Sequence, residues 1–83
     1  MLVIMFYTYA IKSETRNYIY VGITNNLDRR FNEHNVGLNR TTKPYLPFKL
    51  IHFEEFESRQ EARNREIFLK SGVGKEFLKS LFK

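Results

Sequence analysis

Stretches with a two-residue apolar period alternate along this chain with stretches of helical period. From Met5 to Ile11 the alternation puts Tyr7, Tyr9 and Ile11 on one face and Phe6, Thr8 and Ala10 on the other, which predicts a strand. The run Tyr18 to Ile23 is aromatic or β-branched apart from Gly22, and predicts a second strand with Tyr18, Tyr20 and Gly22 on one face. The polar turn Lys12 to Asn17 joins the two as an antiparallel hairpin. If Ile11 pairs with Tyr18, Tyr9 lies directly opposite Tyr20. Two hydroxyls then converge on one site, or the pair is an ordinary aromatic cross-strand contact. Phe48 to Phe56 alternates Phe48, Leu50, His52 and Glu54 against Lys49, Ile51, Phe53 and Glu55. Both faces of this third strand carry apolar groups, so it is expected at the centre of the sheet.

The helical stretches lie between and after the strands. Thr24, Asn25 and Asn26 offer side-chain oxygens for a cap, and a helix over about Asn26 to Val36 presents Leu27, Phe31 and His34 to the core. Arg30 lies beside that stripe, while Arg29 points away from it. Gly37 ends the helix, and Leu38 to Pro47 is a loop carrying Arg40 and Lys43. Ser58-Arg-Gln-Glu61 is a capping box that opens a second helix, expected to reach about Ser71. Ala62, Leu69 and Val73 form its apolar stripe, with Glu66 in the middle. A core-facing carboxylate is costly unless it is paired or binds a metal, and a structural salt bridge to an Arg of the neighbouring helix is the plainer alternative. Gly72 and Gly74 are expected to separate this helix from a short third one over Lys75 to Lys83, whose Phe77, Leu78, Leu81 and Phe82 would form a lid. The order β-β-α-β-α-α predicts an α/β (α+β) fold: a small, largely antiparallel three-stranded sheet flanked by about three helices, one domain over residues 1–83.

Composition narrows the function classes. Eighty-three residues lie near the lower limit at which a core alone supports folding. The absence of Cys excludes disulfides and Cys-based zinc sites, and two His are too few for a His-rich metal cage. Fourteen Lys and Arg against nine Asp and Glu give a formal net charge of +5, which favours an anionic partner, nucleic acid foremost. The plainer alternative is that the charge only keeps a small domain in solution. The opening MLVIMFYTYAI has no basic n-region and is too short to span a bilayer, which needs about 20 residues. A cytoplasmic location with no membrane partner is therefore expected. The Phe-rich C-terminus could bury against a second copy, so the expected state is a monomer or a weak homodimer.

The stretch Tyr18 to His34, YIYVGITNNLDRRFNEH, carries a Tyr, an Arg and a His along one side of a strand–turn–helix. With Tyr7-Thr8-Tyr9 before it and Arg63-Asn-Arg-Glu66 after it, the chain resembles the GIY-YIG nuclease superfamily over nearly its whole length. Tyr7-Thr8-Tyr9 stands where that family has Gly-Ile-Tyr, and Tyr20-Val21-Gly22 where it has Tyr-Ile-Gly. The layout looks most like the short stand-alone members, relatives of the nuclease module of nucleotide-excision repair. The resemblance implies catalytic roles for Tyr9, Tyr20 and Arg30, a supporting His34, and a single Mg²⁺ (or Mn²⁺) held by Glu66.

Those residue types suit the chemistry. Phosphodiester hydrolysis needs an activated water, neutralisation of charge on the phosphorus oxygens, and help for the leaving oxygen. Glu66 supplies the hard oxygen that Mg²⁺ prefers, and Arg30 can grip a phosphate through paired hydrogen bonds. Tyr9 or Tyr20 would take the proton of the attacking water, provided Arg30, a lysine or the metal lowers the phenol from its usual value of about 10. His34 could orient a tyrosine hydroxyl or receive its proton. Lys12, Arg29, Arg40 and Lys43 are candidates for substrate phosphates. The implied activity is a metal-dependent endonuclease of DNA repair, acting on DNA in preference to RNA. Single-stranded or branched DNA is favoured, because no helix–turn–helix, zinc finger or long basic arm is read. The alternative is a non-catalytic nucleic-acid-binding module, although a pure binder has no use for a buried carboxylate beside a phosphate site.

Overall fold

Four consecutive residues of β1 (Phe6–Ser13), from Thr8 to Ile11, are buried, because this strand has a neighbour on each edge and helices over both faces. The computed structural model describes residues 3–82. Around β1 stand β2 (Ile19–Thr24), α1 (Leu27–Asn35), β3 (Phe48–Phe56), α2 (Arg59–Leu69) and α3 (Gly72–Lys79), with a single 3₁₀ turn at Lys43–Tyr45 leading into β3. The order is β-β-α-β-α-α and the antiparallel sheet runs β2-β1-β3, so the predicted α+β class holds.

The central strand is β1 and not β3, contrary to the expectation from the pattern. Apolar groups on both faces of β3 reflect layers above and below the sheet, not strands on both sides. Lys49, Leu50, Phe53 and Glu55 along it are exposed, as suits an edge. The hairpin register also differs. β1 continues to Ser13, whose N–H donates to the Tyr18 carbonyl at 2.9 Å, so Ile11 faces Tyr20 and Tyr9 faces Gly22. Tyr9 and Tyr20 are therefore diagonal neighbours on one face, with ring centroids 6.4 Å apart.

Two apolar clusters follow from the alternation. Tyr9, Ile11 and Phe48 pack beneath α1 and the loop after it, and Ala10, Val21, Leu69 and Leu78 pack beneath α2 and α3. Helix α1 starts where the Asn26 side chain accepts from the Arg29 N–H at 3.1 Å. It is pinned to β3 by Asn35, whose amide accepts from the Phe48 N–H at 2.6 Å and donates back to the Phe48 carbonyl. Helix α2 starts at the expected capping box, Ser58 accepting from the Glu61 N–H at 3.2 Å. It docks on β1 through Ala62, whose carbonyl accepts from the Thr8 hydroxyl at 2.8 Å.

The glycines expected to separate the last two helices lie inside α3 instead. Ser71 caps α3, and Gly74 meets α2 so closely that a Cβ there would collide with the Phe68 carbonyl oxygen and the Leu69 backbone. Val73, expected in the α2 stripe, is 71% exposed as a result. Of the expected lid, Leu78 is buried, whereas Phe77 and Leu81 remain largely exposed. The end expected at Lys83 lies outside the described residues, and α3 stops at Lys79. No helix among the described residues is long and apolar enough to cross a membrane.

Candidate active site

The site is built where β1, β2 and α1 meet. Period-two alternation puts Tyr9 and Tyr20 under α1, and the helical period of α1 brings His34 down onto them. His34 is fully buried between two partners: the Tyr9 hydroxyl lies 2.8 Å from Nε2 and the Thr42 hydroxyl 2.8 Å from Nδ1. Thr42 also points its hydroxyl at the Asn39 carbonyl at 3.5 Å. With that orientation Thr42 accepts from Nδ1–H, which leaves Nε2 as the acceptor for the Tyr9 O–H. Burial, reinforced by the Arg30 charge, pushes His34 down to about 4, so the ring is neutral near pH 7 as this pattern requires. Burial pushes Tyr9 up to about 12, with Arg30 opposing the shift.

Close approach accounts for Gly22. It faces Tyr9 across the hairpin, and a Cβ on it would stand 2.7 Å from the Tyr9 hydroxyl oxygen and 3.0 Å from the Tyr20 ring. Any larger residue would displace the tyrosine hydroxyl from His34. Tyr20 differs from Tyr9 in exposure: it is half-buried, its ring centroid is 5.0 Å from that of His34, and it lines an open groove along β2. Arg30 stands within electrostatic reach of both tyrosines and holds Glu33 at 3.1 Å.

Glu66 comes from α2, and its charge is felt at Tyr9, where it raises the phenol. Its side chain is 8% exposed, with Arg63 Nη1 on Oε1 at 2.9 Å and Lys70 Nζ on Oε2 at 3.1 Å. The partners are thus on its own helix at i−3 and i+4, not on the neighbouring helix as expected; the spacing alone would have found them. Among the described residues no group of three acidic, His or Cys side chains gathers to hold a metal. Glu66 would be the one protein carboxylate for an ion that keeps its waters and takes a phosphate oxygen. Such a donor set fits Mg²⁺, and not a caged transition metal.

The expected phosphate contacts do not gather around this centre. Lys12 lies on the opposite face from Tyr9, donating to the Ser13 carbonyl at 2.6 Å and the Arg16 carbonyl at 2.8 Å, with its ammonium over the Phe82 ring. It ties down the hairpin turn. Arg29 is exposed on the outer side of α1 and pairs loosely with Glu33 at 3.8 Å. Arg40 and Lys43 are exposed on the loop that supplies Thr42. Thr42, Arg63 and Lys70 were missed from the sequence; nothing in the loop marks Thr42 as the partner of His34.

A family model described as the GIY-YIG catalytic domain matches residues 5–78. A UPF0213 protein of Clostridium perfringens is 40% identical over 67 residues, covering 80% of this chain and 71% of that protein. A UPF0213 protein of Listeria welshimeri is 43% identical over 63 residues, covering 75% of this chain and 69% of its own. The solution NMR structure of a UPF0213 protein from Bacillus halodurans matches with a TM-score of 0.55 at 32% identity, over 94% of this chain and 85% of that one. The matched range takes in the two tyrosines on paired strands, the Arg and buried His of the next helix and the buried Glu of a later one, and the chain belongs to the GIY-YIG family of nuclease domains.

Proposed function

We propose that this chain is a metal-dependent endonuclease that hydrolyses phosphodiester bonds in DNA, with single-stranded or branched DNA favoured over duplex. The observation that carries the reading is the buried Tyr9–His34–Thr42 hydrogen-bonded line beside Arg30, with the buried carboxylate of Glu66 in electrostatic reach.

Glu66 would hold a Mg²⁺ or Mn²⁺ ion, which when bound stabilises negative charge on the phosphate. Arg30 would grip the scissile phosphate with charge-assisted hydrogen bonds. Tyr20 is the phenol placed to meet the attacking water, because it is only half-buried and lines the open groove. Tyr9 is buried and already donates to His34, so it positions Tyr20 and Arg30 rather than exchanging protons with solvent. Neutral His34 is a ready acceptor should the Tyr9 proton move. The single-domain architecture, cytoplasmic location and monomeric or weakly dimeric state expected from the sequence belong to the same reading.

One observation favours the non-catalytic alternative: both Glu66 oxygens are ion-paired, as a binding module that must neutralise this carboxylate would have them. Cleavage of end-labelled single-stranded, duplex and flapped DNA with Mg²⁺, Mn²⁺ or EDTA separates the two. Metal-dependent cutting is expected, abolished in Glu66→Ala and reduced about 10²-fold or more in Tyr20→Phe. Salt-sensitive binding without cutting on every substrate, by wild type and Glu66→Ala alike, would establish the binding module instead.

A further inference from the structure

A groove of about 550 Å³ runs along the outer edge of β2, between that strand and α3. Its floor is apolar, from Ile19, Val21 and Leu78, and its far bank carries Lys70, Lys75 and Lys79. Lys75 and Lys79 are one turn apart on the same face of α3, about 6 Å along its axis. Neither has a carboxylate partner among the described residues. Glu76, the acidic residue of α3, does not line the groove. Three ammonium groups therefore share one trough with no acid of α3 in it.

The groove is continuous with the candidate active site at two points. Tyr20 belongs to both, and Lys70 lines the groove while its ammonium rests on Glu66. β2 is an edge strand, so alternate backbone N–H and C=O groups also face this trough. A trough with an apolar floor and a line of positive charge suits one extended strand, whose phosphates can follow the lysines while sugars and bases lie over the floor.

We infer that the β2–α3 groove is the track for a single nucleic-acid strand flanking the phosphate at the active site, with Lys75 and Lys79 on successive phosphates and Lys70 on the phosphate next to Glu66. The inference rests on the nuclease reading for its polarity, but its test does not depend on cleavage. Lys12, Arg29, Arg40 and Lys43, the cations singled out in the sequence, lie elsewhere and are not on the track.

The experiment is binding of a fluorescein-labelled single-stranded DNA of about 20 nucleotides, followed by anisotropy in EDTA across a salt series. Wild type, Lys75→Glu/Lys79→Glu and Arg40→Glu/Lys43→Glu are compared, with circular dichroism melts confirming that each is folded. Both pairs are exposed, so folding should survive. The groove variant is expected to bind about tenfold more weakly at low salt and to lower the slope of log K against log salt by about 1.4, the value for two lost phosphate contacts. The loop variant should lie within about twofold of wild type. Equal loss in both variants, or no loss in the groove variant, overturns the track, as does failure of the wild type to bind. Groove-dependent binding by a protein that cuts nothing in Mg²⁺ sinks the nuclease reading while the track stands.

Discussion

The neutral, buried ring of His34 couples the site to the stability of the fold. Its pKa is lowered from 6.5 to about 4, chiefly by burial and then by Arg30. Above pH 6.5 the ring is neutral folded and unfolded, and its contribution is fully present. As pH falls from 6.5 towards 4 the unfolded chain takes up a proton that the folded chain refuses, so stability is lost; below 4 both states are protonated and the loss levels off. The full effect is about 3 kcal/mol. Urea unfolding at pH 7 and pH 4.5 should show wild type losing about 2–3 kcal/mol more than His34→Gln, which keeps a donor and an acceptor but cannot titrate. Equal pH dependence in the two proteins would mean that the ring accepts a proton without leaving Tyr9 and Thr42.

At the scale of elements, the contact between α2 and α3 turns on one missing Cβ. Gly74→Ala would drive a methyl into the Phe68 carbonyl and the Leu69 backbone, and neither is a flexible side chain that can swing away. A destabilisation of about 2–3 kcal/mol is expected, read as a lower urea midpoint. Gly72→Ala meets nothing within 4 Å and should be neutral or stabilising by about 0.5 kcal/mol. If both substitutions cost the same, the close approach at Gly74 is not what sets the α2–α3 angle. The same junction shows where sequence reading stops. Two glycines in three residues read as a break, yet Ser71 supplies the cap one residue earlier and the helix runs through both. Periodicity located the three strands and three helices, though not all of their ends, because each presents an apolar face to the core. The strand order was not legible, since apolar groups on both faces of β3 report layers and not neighbours. The register slipped by two because Lys12 and Ser13, polar in sequence, are spent on the turn and on the Tyr45 carbonyl while still in β1. Within the site, Tyr9, Tyr20, Arg30 and His34 were legible as a strand–turn–helix face. Thr42 was not, because its place under His34 is set by the path of a loop.

At the scale of the whole molecule, the proposed function asks a chain of net charge +5 to take a divalent cation at Glu66, beside Arg63 and Lys70. Both oxygens of Glu66 are engaged, so on that proposal an ion would have to displace Lys70 or Arg63 from the carboxylate before binding. A nucleic-acid strand changes both terms: its phosphates offset the positive field, and they give the displaced ammonium of Lys70 another partner. Ion and strand should then bind with positive coupling, and by linkage each tightens the other by the same factor, on the order of 5–150-fold. Calorimetric Mn²⁺ titrations with and without a cleavage-resistant phosphorothioate strand measure it. Lys70→Met should bind Mn²⁺ more tightly than wild type when no strand is present, since the competing cation is gone, and should show a smaller gain when the strand is added. Mn²⁺ affinity indifferent to the strand, or unchanged by Lys70→Met, would mean that the ion does not take the place of Lys70 on Glu66. The full pattern would make the two ion pairs a reversible occupant of the site, holding a buried carboxylate charged until the substrate strand arrives to take its counter-ion away.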